Sequence, residues 1–113
     1  MRDRINKIFE MLEGESDVSE VRSECIQIGI ELAEQFGDDI DPWEKSQLAS
    51  AISSLNWNLS FDHPTTETGL RLCTHSLNKA LEPKDHRSPD YPVNENDLKN
   101  VSTQEIIEAF RSL

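Results

Sequence analysis

Between Asp17 and Gly37 the apolar residues fall into two adjacent helical rows, and this breadth limits the folds open to the chain. Val18, Val21, Cys25, Ile28 and Leu32 form one row, and Ile26, Ile30 and Ala33 form the second beside it. At about 100° per residue these positions cover roughly half the circumference of a helix. A stripe that broad needs neighbours on more than one side, which is the situation of a central helix in a bundle. Asp17 and Glu20 stand as an Asp variant of the capping box at its start, and Phe36-Gly37 closes it.

Four further segments show helical spacing with their own start and stop signals. Residues 2–13 place Ile5, Ile8, Phe9 and Leu12 on one face, and Gly14 supplies a stop. Asp41-Pro42-Trp43-Glu44 opens the third helix, with an acceptor at the N-cap, Pro at N1 and Glu at N3. Its core stripe is Leu48, Ala51, Ile52, Leu55 and Leu59. Trp43 and Trp57 are read on the opposite side, fourteen residues apart, with Ser46, Ser50 and Ser53 or Ser54 between them. The fourth helix follows His63-Pro64, presents Leu70, Cys73, Leu77 and Ala80 or Leu81, and ends at Pro83. Residues 82–101 then bring Pro83, Pro89 and Pro92 among polar residues, which reads as a surface linker with one short turn at Asn94–Lys99. Ser102-Thr103-Gln104-Glu105 is a capping box, with Val101 placed to staple to Ile106, and Ile106, Ile107, Phe110 and Leu113 face inward.

No segment shows the alternating, β-branched pattern of a strand. The expected fold is therefore all-α: a compact bundle of about five helices, with a proline-containing linker before the last one. One domain over residues 1–113 is expected from the length. Apolar residues make up only 35% of the chain, and Gly and aromatics are scarce, so the core must come from Leu, Ile and Val on amphipathic helices. No apolar run approaches the roughly 18 residues that span a bilayer. Met1-Arg2-Asp3-Arg4 leads straight into the first helical pattern without the apolar region of a secretory signal, so a cytoplasmic protein is expected. Cys25 and Cys73 fall on apolar faces and read as buried thiols, with a disulfide open to them if their helices touch. Leu77-Asn78-Lys79-Ala80-Leu81-Glu82-Pro83 resembles the close of a tetratricopeptide helix pair over about one helix. No second copy is present, and stacked repeats need about three.

Charge narrows the function. Residues 10–44 hold twelve carboxylates and a single base, Arg22, and so account for the whole net charge of −11. Glu20, Glu24, Gln27, Glu31 and Glu34 form a ridge on the polar side of the second helix, with Asp38 beyond its end. Charged helix faces ordinarily mix signs, gaining about 0.3–0.5 kcal/mol per i,i+4 pair. Here like charges are neighbours, and only Arg22 is expected to offset them locally. A face of this kind attracts basic partners and repels phosphate and anionic lipid. The plain alternative is a solvated helix face.

Other chemistry finds little support. Cys73-Thr74-His75 with His63 lacks zinc-ligand spacing, and Asp38-Asp39-Ile40-Asp41 lacks the alternating ligands and terminal Glu of a calcium loop. No cofactor or metal is expected. Asp62-His63 and Asp85-His86 are chain neighbours, which fixes no catalytic geometry. There is no phosphate loop or nucleophile elbow, so the chain reads as a non-enzyme. Lys and Arg cluster only at Arg2, Arg4 and Lys7, too few on any face for direct nucleic-acid binding.

The function expected from the sequence is a small acidic protein-binding module that occludes a basic partner, as a monomer or homodimer. Its concrete form is an immunity protein, or an inhibitor, for a nuclease toxin or nucleic-acid-processing protein. Glu20, Glu24, Glu31, Glu34, Asp38, Asp39 and Asp41 would supply the field, and Trp43 or Tyr91 a desolvated anchor. In size, acidity and helical content the chain is similar to the colicin-nuclease immunity proteins. Ser88-Pro89-Asp90-Tyr91-Pro92 partly resembles their Tyr-Tyr-Pro element, while the surrounding residues depart from it. The alternative is a structural or adaptor protein, including a homodimer, that meets its partner through the Trp face. The preferred reading of the Trp face, over a partner anchor, is that its small serines let another helix approach closely while the indoles pack at its edges. Of the two indoles, Trp43 is expected to lie nearer to solvent.

Overall fold

The computed structural model describes residues 1–14, 17–60, 65–83 and 101–113, and only the backbone of 57–60 and 65–67. Among these residues there are five α-helices and no strand. They are α1 (Arg2–Glu13), α2 (Val18–Phe36), α3 (Pro42–Ser60), α4 (Thr65–Ala80) and α5 (Thr103–Arg111), with a 3₁₀ turn at Gly37–Asp39 after α2. The all-α bundle expected from the periodicity is the fold. No described helix is long and apolar enough to cross a membrane. Tyr91, His63, His86 and the short turn placed at Asn94–Lys99 lie outside the described residues.

The helix boundaries follow local chemistry. Asp17 caps α2 by accepting from the Ser19 N–H at 2.9 Å. Gly37 ends it at φ 57°, a left-handed conformation that costs a glycine nothing. The box at α3 is reciprocal: Asp41 Oδ1 accepts from Glu44 N–H at 2.8 Å, and Glu44 Oε1 accepts from Asp41 N–H at 3.0 Å. Ser102 Oγ accepts from the Glu105 N–H at 3.1 Å and starts α5. Each such cap is worth about 1 kcal/mol.

Packing confirms the central place of α2, which touches each of the other four helices. Val21, Cys25, Ile28 and Leu32 from the first row, and Ile30 and Ala33 from the second, are buried. Val18, at the exposed start, is 45% accessible. Ile5 and Ile8 of α1, Leu48, Ala51 and Leu55 of α3, Leu70, Cys73 and Leu77 of α4, and Ile106, Ile107 and Phe110 of α5 complete one continuous core. Full burial of each Ile or Leu contributes roughly 1.5–3 kcal/mol. Ile5 and Ile8, with no exposed surface, therefore hold α1 down.

α3 and α4 form the most extensive pairing and run antiparallel, as the contact between Trp43 at the start of α3 and Lys79 at the end of α4 requires. The beginning of α5 is tied to the end of α2, where Thr103 Oγ1 donates to the Gly37 carbonyl at 2.6 Å. At the other end of α5, Arg22 Nη2 donates to the Leu113 carbonyl at 2.9 Å.

Candidate protein-binding face

The acidic ridge of α2 is not a uniform exposed row. Glu20, Gln27 and Glu34 are exposed, while Glu24 and Glu31 are half-buried beneath a cation from α1. Arg4 places Nη2 at 2.9 Å from Glu24 Oε1 and Nη1 at 2.6 Å from Glu31 Oε2. Its Nε also donates to Glu24 Oε1 at 3.3 Å. Glu24 and Glu31 are seven residues apart, two turns of one face, and the guanidinium fork spans the gap between them. The hydrogen bond to Glu31, then that to Glu24, raises the Arg4 pKa and keeps it charged. The three side chains remain 39%, 37% and 35% exposed, so solvent screening holds each pair to about 0.2–1 kcal/mol.

This corrects the expectation that Arg22 offsets the ridge. Two residues along a helix is a turn of about 200°, so Arg22 faces away from Glu24. Its head group serves the Leu113 carbonyl instead, and its buried Nε has no partner among the described residues. The cation that meets the ridge is Arg4.

Beside the Arg4 clip, Arg4, Lys7, Met11, Glu20 and Glu24 line an open cleft of about 360 Å³ between α1 and α2. Its walls carry both signs of charge, so the N-terminal half of the ridge offers no purely acidic surface. Asp41 is committed as well, since its carboxylate caps α3.

Glu34, Asp38 and Asp39 are different. All three are exposed, and none is ion-paired among the described residues. They sit at the C-terminal end of α2, where the macrodipole places roughly half a negative charge, and the last turn of α2 has no basic residue. The 3₁₀ turn that bears Asp38 and Asp39 is held by the Ile40 N–H to the Gly37 carbonyl at 3.3 Å and by the buried side chain of Ile40. Of the seven carboxylates expected to supply the field, Glu20, Glu34, Asp38 and Asp39 are exposed with no ion pair among the described residues, and the last three lie at the C-terminal end of α2, away from the Arg4 and Lys7 that share a cleft with Glu20.

Trp43 is packed, as the preferred reading of the Trp face has it, but its place on α3 and its proposed use as an anchor are corrected. It is 7% exposed, and its indole Nε1 donates to the Lys79 carbonyl at 3.2 Å. Trp43, Gln47 and Ala51 are spaced i, i+4, i+8 and form a row adjoining Leu48 and Leu55, so Trp43 belongs to the margin of the core stripe rather than to the opposite side. It secures α4 and is not offered as a surface anchor. Two serines of α3 bond back to their own helix, with Ser46 Oγ donating to the Trp43 carbonyl and Ser54 Oγ to that of Ser50. The Trp57 side chain and Tyr91 lie outside what the structure describes.

Among the described residues no three His, Cys, Asp or Glu side chains are placed to hold a metal ion. His75, on the exposed side of α4, lies against Phe9 with ring centroids 4.8 Å apart. Periodicity missed Gly29, buried in α2 directly under the Phe110 ring, and Gln47, buried in α3 with neither amide atom paired among the described residues. Gly29 does carry a signal, a glycine between Ile28 and Ile30 in a helix interior, since such glycines persist where another element comes close. No protein-family model, curated protein or solved structure matches the chain, so the functional argument rests on this geometry.

Proposed function

We propose that this chain is a small acidic protein-binding module that occludes a basic surface on a protein partner. Glu34, Asp38 and Asp39 lead the contact. One observation supports the reading above the rest: three exposed carboxylates lie at a helix C-terminus, where the macrodipole already favours cations. Each costs the isolated protein about 0.3–1 kcal/mol at low salt, and a cationic partner turns that cost into attraction. The fitting partner has a Lys- or Arg-rich face, such as the phosphate-binding cleft of a nuclease toxin or another nucleic-acid-processing protein. The carboxylates then stand where phosphates otherwise bind, as in an immunity protein or inhibitor.

The test reverses charge where the fold does not use it. Glu24→Lys with Glu31→Lys would set two lysines against Arg4 and disturb the α1–α2 contact, so the informative variant is Glu34→Lys, Asp38→Lys, Asp39→Lys. Wild type and variant, matched by circular dichroism, are immobilised and exposed to native-host lysate, and recovered proteins are identified by mass spectrometry. Association rates are then measured against salt for the recovered partner. A basic protein that binds wild type and associates far more slowly with the variant supports the reading. Identical rates at low salt refute it.

A further inference from the structure

Two of the ridge carboxylates already hold a guanidinium, supplied by the chain itself. Arg4 lies 2.9 Å from Glu24 Oε1 and 2.6 Å from Glu31 Oε2, and all three side chains are half-exposed. α1 does not hang on this clip. Ile5 and Ile8, next along the helix, are fully buried and fix it, so the Arg4 side chain can leave the ridge while α1 stays docked. The cleft of about 360 Å³ beside the clip gives that side chain room to move. Glu20, exposed on the α2 wall of the same cleft, offers a carboxylate to receive it.

Glu31 joins the clip to the exposed face at the end of α2. It precedes Glu34 by three residues, so the two are neighbours on the helix surface. A partner docked at Glu34, Asp38 and Asp39 carries its own cations to within one turn of Glu31. Its arginine then competes with Arg4 as one tethered group against another, and not at bulk concentration. Solvent screens the contacts of Arg4, so they yield readily.

We propose that Arg4 is an autoinhibitory contact: it masks Glu24 and Glu31 in the free chain, and an arginine of the basic partner takes its place once the partner has docked at Glu34, Asp38 and Asp39. The inference rests on the basic-partner reading given above. The planar fork of an arginine bridges the two carboxylates, as the Arg4 geometry demonstrates, whereas a lysine brings a single point charge to a gap two helical turns long. The unmasked pair therefore selects arginine over lysine. The clip also restrains adhesion to cationic surfaces that do not first engage the end of α2.

Capped oligo-arginine and oligo-lysine peptides of equal length serve as probes, titrated into the full chain at low salt and followed by calorimetry. In Arg4→Met the arginine peptide should bind about 2- to 30-fold more tightly than in wild type, the range to which two screened pairs convert. Arg111→Met removes an equal charge from the exposed end of α5 and should change binding by less than about twofold. Adding Glu24→Gln and Glu31→Gln to Arg4→Met should abolish the gain, with circular dichroism confirming the fold of each variant. In wild type, saturation with the arginine peptide should move the Arg4 Nε–H resonance, a measurement that needs no variant. An unmoved resonance overturns the proposal. Equal gains in Arg4→Met and Arg111→Met, a gain that survives loss of both carboxylates, or equal tightening of the lysine peptide overturn it as well. If Glu34→Lys, Asp38→Lys, Asp39→Lys leaves wild-type affinity unchanged, the docking face itself fails. If that variant weakens binding and Arg4→Met adds nothing, the autoinhibition alone fails.

Discussion

Gly29→Ala is the most demanding test of how α5 docks. Gly29 is buried in the middle of α2, and a Cβ added there would lie 2.4 Å from both Cε1 and Cζ of Phe110 and 2.9 Å from Cδ1. Carbon atoms in contact sit about 3.5–4.0 Å apart, so the ring must retreat by about 1 Å or more. It has nowhere easy to go. Phe110 is fully buried, and its neighbours Ile106 and Ile107 are 3% and 7% exposed. Either the ring is forced off its rotamer or the nine-residue α5 shifts as a body. A helix that short has little stability apart from its packing.

The magnitudes then decide the sign. Ala is favoured over Gly in a helix interior by about 1 kcal/mol. Overpacking a core costs typically about 1–3 kcal/mol, and full loss of a Phe from it about 3–5 kcal/mol. An overlap to 2.4 Å with a fully buried ring belongs in the upper part of the overpacking range, about 2–3 kcal/mol, so the balance is a loss of about 1–2 kcal/mol, or a fall of roughly 4–10 °C in Tm for a domain of this size. Urea unfolding followed by circular dichroism measures it, with an unchanged slope confirming that the same surface is exposed. Adding Phe110→Leu should recover part of the loss from Gly29→Ala, because the two sites compete for one space. A Gly29→Ala midpoint equal to or above wild type would refute the close approach and the reason given for the glycine.

Arg4→Met should lower stability by about 0.5–2 kcal/mol at low salt, since two half-exposed pairs are lost and Glu24 is left facing Glu31. That loss should shrink in 1 M salt, where the Debye length is about 3 Å, and a salt-independent loss would point to packing instead. Gln47→Met, close in length and shape, should raise the thermal midpoint, because about 1–3 kcal/mol of unmet desolvation is removed. A fall would show that the amide is satisfied in solution. Ser102→Ala should cost about 1 kcal/mol in urea unfolding, by removing the cap of α5.

The five described helices were legible because their ends are written locally. Asp41 with Glu44, Ser102 with Glu105, and Gly37 after Phe36 each act within four residues, and the structure uses each as its residue type suggests. What sequence spacing could not supply were contacts between helices. Arg4 stands 20 and 27 residues before the carboxylates it joins, and only the docking of Ile5 and Ile8 brings it there. Trp43 was misplaced for a smaller reason. Its i, i+4, i+8 relation to Gln47 and Ala51 is visible in the sequence, but a polar Gln within the row disguises the row as solvent-facing. The Thr103 to Gly37 bond spans 66 residues and left no local mark.

That last bond bears on how the proposed face would work. The carboxylates of Glu34, Asp38 and Asp39 ride on the end of α2 and on a turn whose glycine carbonyl accepts both the Ile40 N–H and the Thr103 hydroxyl. The turn is therefore braced by α5, and α5 in turn depends on Phe110 and on the cap at Ser102. A charged cluster braced in this way loses little freedom when a partner binds, whereas the same residues on a slack loop would pay for ordering at each encounter. It follows that Thr103→Val, which keeps the shape but not the donor, should leave the net charge and the long-range association rate unchanged. It should raise the dissociation rate of a basic partner, because what it loosens is the geometry of the contact and not the field that draws the partner in.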